Sequence, residues 1–202
     1  RTACAQAAAW IAAGMPLPRV AVNISSQQLR QPGFVELVES VLAETGLEPH
    51  RLDLECTESV LLEEPERAAR TLQALRQRGI QISLDDFGTG YSSLGYLRHL
   101  PIDRIKIDRS FVADLTSSPG GAAIIEAVIA LSRSLRLKVL AEGVETGDQL
   151  AFLQARQCDE VQGFFFAEPL AAEEVGDLLL AGGSNGIGCA PRSRPCGGYD
   201  AV

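Results

Sequence analysis

Two hydrophobic periods take turns along this chain, and their order limits the fold more than any other feature. Short apolar segments mark strands at Val20 to Ile24, Leu52 to Cys56, Ile80 to Leu84, Ile102 to Ile107, Lys138 to Ala141 and Val161 to Phe165, and in the third of these Ile80, Ile82 and Leu84 alternate with polar residues. Helical spacing or composition covers Thr2 to Ala13, Phe34 to Leu42, Glu63 to Arg78, Tyr91 to Leu100, Ala122 to Leu135, Gly147 to Arg156 and Ala171 to Leu180. Strand and helix alternating in this way predict a parallel sheet, because a crossover helix is what returns the chain to begin the next strand in the same direction. The sheet is then either a barrel or an open doubly wound sheet. In the helix Ala122 to Leu135, Ile124, Val128, Leu131 and Leu135 form one stripe with Ile125 and Ile129 beside it. That stripe is wide enough to cover both the sheet and a partner.

Polar residues punctuate the strand ends. Asn23, Glu55, the pair Asp85 and Asp86, Lys106, Glu142 and Gln162 each stand at or just past the C-terminal end of one of the six strands. In a barrel those ends converge on one face, whereas an open sheet spreads them along an edge, so convergence favours the barrel. Asp85 and Asp86 are adjacent carboxylates that repel each other unless a cation neutralises them. Gly88 and Gly90 follow, and they let the next loop turn tightly. Each residue alone has a plain explanation: Asn23 caps a turn, Lys106 makes an ion pair, Glu142 caps the following helix. Six such coincidences at six strand ends are harder to accept. The set Asn23, Glu55, Asp85, Asp86 and Glu142 offers oxygen ligands without His or Cys, which favours Mg²⁺ or Mn²⁺ over Zn²⁺. Several carboxylates suit two such ions clamping a phosphate, with Lys106 orienting water or steadying charge.

Composition closes off other classes. A net charge of −8 argues against a broad nucleic-acid or anionic-membrane surface. There is no apolar run long enough for a membrane span, and the opening residues lack the apolar core of a signal peptide. Cys4, Cys56, Cys158, Cys189 and Cys196 lack metal-ligand spacing, and their odd number and scatter suit reduced thiols in the cytosol. One domain over residues 1–181 is expected, then a disordered tail, 182–202, rich in Gly, Ser, Pro and Arg.

The segments Val-Asn-Ile-Ser (22–25), Glu-Cys-Thr-Glu-Ser (55–59), Asp-Asp-Phe-Gly-Thr-Gly-Tyr-Ser-Ser-Leu (85–94), Lys-Ile-Asp-Arg-Ser-Phe (106–111), Ala-Glu-Gly-Val-Glu-Thr (141–146) and Gln-Gly-Phe-Phe-Phe-Ala-Glu-Pro (162–169) together resemble the EAL domain of bacterial cyclic-di-GMP phosphodiesterases. The resemblance implies a TIM-like (β/α)₈ barrel, here reduced to about six βα units, that hydrolyses cyclic di-GMP to linear pGpG with Mg²⁺ or Mn²⁺, two ions at a time. It implies metal ligation by Asn23, Glu55, Asp85, Asp86 and Glu142. Catalytic roles fall to Lys106, Asp86 and Glu145, and substrate contacts to Gln162, Asp108 and Pro169. Glu58, Phe87, Gly88, Gly90 and Ser92 belong by resemblance to a loop that couples the site to a homodimer interface. The Glu-Ala-Leu tripeptide that names the family, a metal-ligand glutamate included, is absent, and with the first two strands it is expected before Arg1. Cys56 replaces the more usual aliphatic residue, and a thiol there is expected to pack as a small hydrophobe. The resemblance also implies a cytoplasmic chain, the cytosolic part of a larger sensor. Two further readings stand beside the hydrolase: a receptor that binds cyclic di-GMP without cutting it, and a scaffold acting through the Ala122 to Leu135 helix.

Overall fold

A computed structural model of the chain describes residues 1–17, 19–58, 64–88, 97–115 and 119–181. Residues 91–96 of the expected Tyr91 to Leu100 helix lie outside them, as do Gly90, Ser92 and the tail with Cys189 and Cys196. The chain divides into two compact units, Arg1–Asp103 and Arg104–Val202.

The first unit holds α1 (Thr2–Ala12), β1 (Val20–Asn23), α2 (Ser26–Arg30), α3 (Phe34–Thr45), β2 (Leu52–Thr57), α4 (Pro65–Gln77) and β3 (Gln81–Phe87). The helices follow from their apolar spacing. Phe34, Val38 and Leu42 are the buried stripe of α3, and Ala68, Leu72 and Leu75 that of α4. Helix α3 runs past the expected Leu42 to Thr45, where Gly46 at φ 71° closes it. Helix α2 has too few residues for a period to register. Its sign is local: the Ser25 hydroxyl accepts from the Gln28 N–H, and the Gln28 side chain accepts from the Ser25 N–H.

The three strands are parallel, with Asn23 opposite Glu55, Glu55 opposite Ser83 and Thr57 opposite Asp85. Register partners share a face, so Asn23, Asp53, Glu55, Ser83 and Asp85 lie on one side of this sheet. Leu52, Leu54, Cys56, Ile82 and Leu84, all buried, lie on the other. Strand β3 does not stop at Leu84; it carries Asp85, Asp86 and Phe87 within it, because the pairing with β2 continues to Thr57 opposite Asp85.

The second unit holds β4 (Arg104–Ile107), α5 (Arg109–Ala113), α6 (Pro119–Leu135), β5 (Lys138–Ala141), α7 (Gly147–Ala155), β6 (Glu160–Val161) and α8 (Ala172–Ala181). Its strands are parallel too, with Lys106 opposite Leu140 and Ala141 opposite Val161. Strand β4 begins at Arg104, not Ile102. Strand β6 ends at Val161 instead of Phe165, and Gln162 lies just past it. The cause is visible in the backbone: Val144 donates to the Gln162 carbonyl (3.0 Å) and accepts from the Phe165 N–H (2.9 Å), so the chain folds over the loop after β5.

Helix α6 begins three residues before the expected Ala122, at Pro119, a residue suited to a first helical turn. Its stripe is also rotated from the expected one. Gly121, Ile125, Val128, Ile129 and Ser132 are buried, while Ile124 is 41 % exposed. The Ser132 hydroxyl donates to the Val128 carbonyl (2.8 Å), which lets a polar residue occupy the inner face.

Candidate functional site

In the first unit, β1, β2 and β3 each deliver a polar residue near their C-terminal ends. Glu55 is buried at 8 % exposure, on the same row as the exposed Asn23. The two strands are tied there by the Ile24 N–H donating to the Glu55 carbonyl at 2.8 Å. Asp85 is half-buried and Asp86 exposed. The Asp85 carboxylate accepts the Asp86 N–H at 3.0 Å, and Asp86 holds φ at 54°. Asp tolerates that left-handed conformation better than most residues, and such strain gathers at working sites. It turns the chain within the last residues of the strand, so two adjacent acids need not alternate across the sheet. Phe87 is buried, Gly88 exposed and Glu58 half-buried.

In the second unit, Lys106 is 4 % exposed, and its Nζ lies 2.8 Å from Oε1 of the half-buried Glu142. Two backbone links hold Glu142 in place. Its N–H donates to the Ile107 carbonyl at 3.1 Å, and the Gln162 N–H donates to the Ala141 carbonyl at 2.9 Å. Behind it, Gly143 at φ 72° leaves no room for a Cβ, which would collide with Arg109; a Cβ at Gly163 would collide with the Val144 backbone. Glu145 and Gln162 are exposed, as is Pro169. The Asp108 carboxylate accepts the Ser110 N–H at 3.1 Å and caps α5. Thr146 and Gln149 form a capping box at the start of α7, and Gln149 also accepts the Glu145 N–H at 2.7 Å.

A deeper layer of charge went unread in the sequence. Asp53 and Ser83 are both wholly buried, and the Ser83 hydroxyl reaches both Asp53 oxygens, at 2.8 and 2.9 Å. Arg104 and Glu160, 2 % and 4 % exposed, pair at 2.8 Å, with Lys138 Nζ 3.5 Å from the same carboxylate. A usable signal existed. Asp53, Ser83 and Arg104 each stand two residues before Glu55, Asp85 and Lys106, hence on the same strand face.

The donors of the first unit suit a hard divalent cation. They are carboxylate and amide oxygens; the nearby Cys56 thiol keeps its proton, pushed up to about 12 by burial first and then by Asp85, Asp53 and Glu55. Its Sγ lies 3.7 Å from the Ser83 carbonyl and packs as an apolar group.

Comparison with known proteins adds identity to this geometry. The EAL domain family matches residues 1–169. The chain is 43 % identical over 181 residues to the cyclic di-GMP phosphodiesterase NbdA of Pseudomonas aeruginosa, covering 90 % of this chain and 23 % of that protein. It spans 21 to 23 % of the length of three curated relatives that it matches. Among solved structures, the EAL domain of Mycobacterium smegmatis DcpA superposes with a TM-score of 0.85 at 43 % identity, over 90 % of this chain and 82 % of that one. A manganese and cyclic-di-GMP complex of Klebsiella pneumoniae BlrP1 gives 0.76 at 31 % identity, over 84 % and 43 %. The six parallel strands with their helices are therefore βα units of a TIM-like fold.

Proposed function

Since the chain belongs to the EAL domain family, we propose that it hydrolyses cyclic di-GMP to linear pGpG in a metal-dependent reaction of bacterial second-messenger signalling. The observation that carries the reading is the set of polar groups at the strand ends. Oxygen donors Asn23, Glu55, Asp85 and Asp86 stand at the ends of β1 to β3, and Lys106 is paired with Glu142 at 2.8 Å. Named relatives that hydrolyse this nucleotide, and a related structure holding it with manganese, support the same assignment.

In this reading Asn23, Glu55, Asp85, Asp86 and Glu142 hold Mg²⁺ or Mn²⁺, two ions in all. A bound divalent cation supplies Lewis acidity toward a phosphoryl oxygen and a water of lowered pKa. The chain's own groups do the rest. Lys106 Nζ, held by Glu142, donates a hydrogen bond to the attacking water or to a phosphate oxygen that gains charge. Water adds to one phosphorus, the P–O3′ bond breaks, and the 3′ oxygen leaves with a proton, which opens the ring to a 5′-phosphate and a 3′-hydroxyl. Asp86 and Glu145 position the water, and Gln162, Asp108 and Pro169 line the nucleotide. Glu58, Phe87 and Gly88, with Gly90 and Ser92, couple this site to a homodimer face, for which the exposed Ile124 on α6 is a suitable contact. The reading places the chain in the cytoplasm.

Two substitutions of condition test it in the full-length protein. Lys106→Ala is expected to lower turnover about a hundredfold or more, in the range seen for a lost proton-handling or electrostatic group, with an unchanged circular dichroism spectrum. Replacing Mn²⁺ by Ca²⁺ is expected to abolish turnover, because Ca²⁺ takes more ligands at longer range. Full activity of Lys106→Ala would remove that residue from the mechanism.

A further inference from the structure

We propose that Asp53 and Ser83 are positioning residues for Glu55 and Asp85, fixing the diagonal across β2 and β3 that a shared cation requires. The inference rests on the metal reading above. Its geometric root is the register. Asp53 stands opposite Gln81, and Ser83 is two residues further along β3. Glu55 stands opposite Ser83, and Asp85 is again two residues further. The two diagonals have the same offset, and the Asp53–Ser83 diagonal lies one layer below the Glu55–Asp85 diagonal. The lower one is tied by two hydrogen-bond distances from a single hydroxyl, 2.8 and 2.9 Å, in a place no water reaches.

Such a tie is costly without a purpose. A carboxylate with no exposure loses its hydration, and it does so here below two more acids on the same sheet face. An apolar pair would pack these strands with less penalty. What the polar pair adds is direction. Hydrogen bonds have a set length and angle, so they hold β2 against β3 at a fixed stagger where dispersion contacts would allow slip. Groups behind metal ligands commonly alter affinity tenfold to a hundredfold through such orientation.

The test is Mn²⁺ binding to the full-length protein, followed by the paramagnetic resonance signal of free Mn²⁺, with thermal unfolding measured in parallel. Ser83→Ala breaks the tie and is expected to weaken Mn²⁺ binding about tenfold or more. Asp53→Asn keeps an acceptor for the Ser83 hydroxyl and is expected to lose less. Should Ser83→Ala fold poorly, the double variant Asp53→Val with Ser83→Ala removes carboxylate and donor together and leaves no orphaned partner; weakened Mn²⁺ binding is expected there too. A folded Ser83→Ala or double variant that melts earlier but binds Mn²⁺ within twofold of the unaltered protein would make the pair merely structural and overturn the inference. A larger loss in Asp53→Asn than in Ser83→Ala would overturn it as well, by assigning the effect to charge. If the unaltered protein binds no Mn²⁺, the metal reading itself falls, and this inference with it.

Discussion

Cys56 has its proton locked on by burial and by three neighbouring acids, which push the thiol up to about 12. Cys158 reaches about 12 as well, chiefly through burial. The consequence for stability has a definite sign. Below the ordinary thiol value of 9.0 both folded and unfolded chains are protonated, and the contribution is whole. Between 9.0 and about 12 only the unfolded chain ionises, so stability falls as pH rises, by about 1.4 kcal/mol per pH unit for each thiol. Iodoacetamide at pH 8 is therefore expected to spare Cys56 and Cys158 in the native protein and to label both in denaturant, as read by peptide mass mapping. Labelling of native Cys56 at the denatured rate would contradict this environment. Glu55, Asp85 and Lys106 stood out in the sequence because a charged residue inside an apolar strand is rare. The pairing of Asp53 with Ser83 and of Arg104 with Glu160 was not legible, since the partners are 30 and 56 residues apart in sequence.

Among the elements, interiors were legible and edges were not. The stripe Ala68, Leu72 and Leu75 marked α4, and β5 has the expected bounds, Lys138–Ala141. The edges moved wherever a side chain or a loop took a strand's place in the ladder. Asp103 shows how. Its carboxylate accepts the Ile82 N–H at 3.1 Å and its own N–H donates to the Ile82 carbonyl, so it serves β3 instead of extending β4. Asp159 does the same ahead of β6, accepting the Val139 N–H at 2.9 Å. Asp159→Ala is expected to lower stability by about 1–3 kcal/mol, because the buried Val139 N–H is left without this acceptor. Urea unfolding of the variant checks it, and an unchanged midpoint would show that water replaces the carboxylate. The buried stripe of α6 departs from its apolar spacing for a related reason. Ser132 reads as an outward residue until its hydroxyl is seen to satisfy itself on Val128, one turn back.

At the scale of the whole chain, alternating strand and helix led to a parallel sheet, and the polar strand ends led to a barrel; a solved EAL domain superposes over 90 % of the chain. The net charge is −8, and no helix among the described residues is long and apolar enough to cross a membrane. Assignment of an activity depends on Asn23, Glu55, Asp85, Asp86, Lys106 and Glu142 acting on one phosphodiester. The most direct measurement is chromatography of the full-length protein incubated with cyclic di-GMP and Mn²⁺, beside a sample treated with EDTA. The account predicts one pGpG for each cyclic di-GMP consumed, and none in the chelated sample. Cyclic di-GMP that is bound by the protein yet recovered intact in the presence of Mn²⁺ would contradict it and leave a receptor in place of an enzyme.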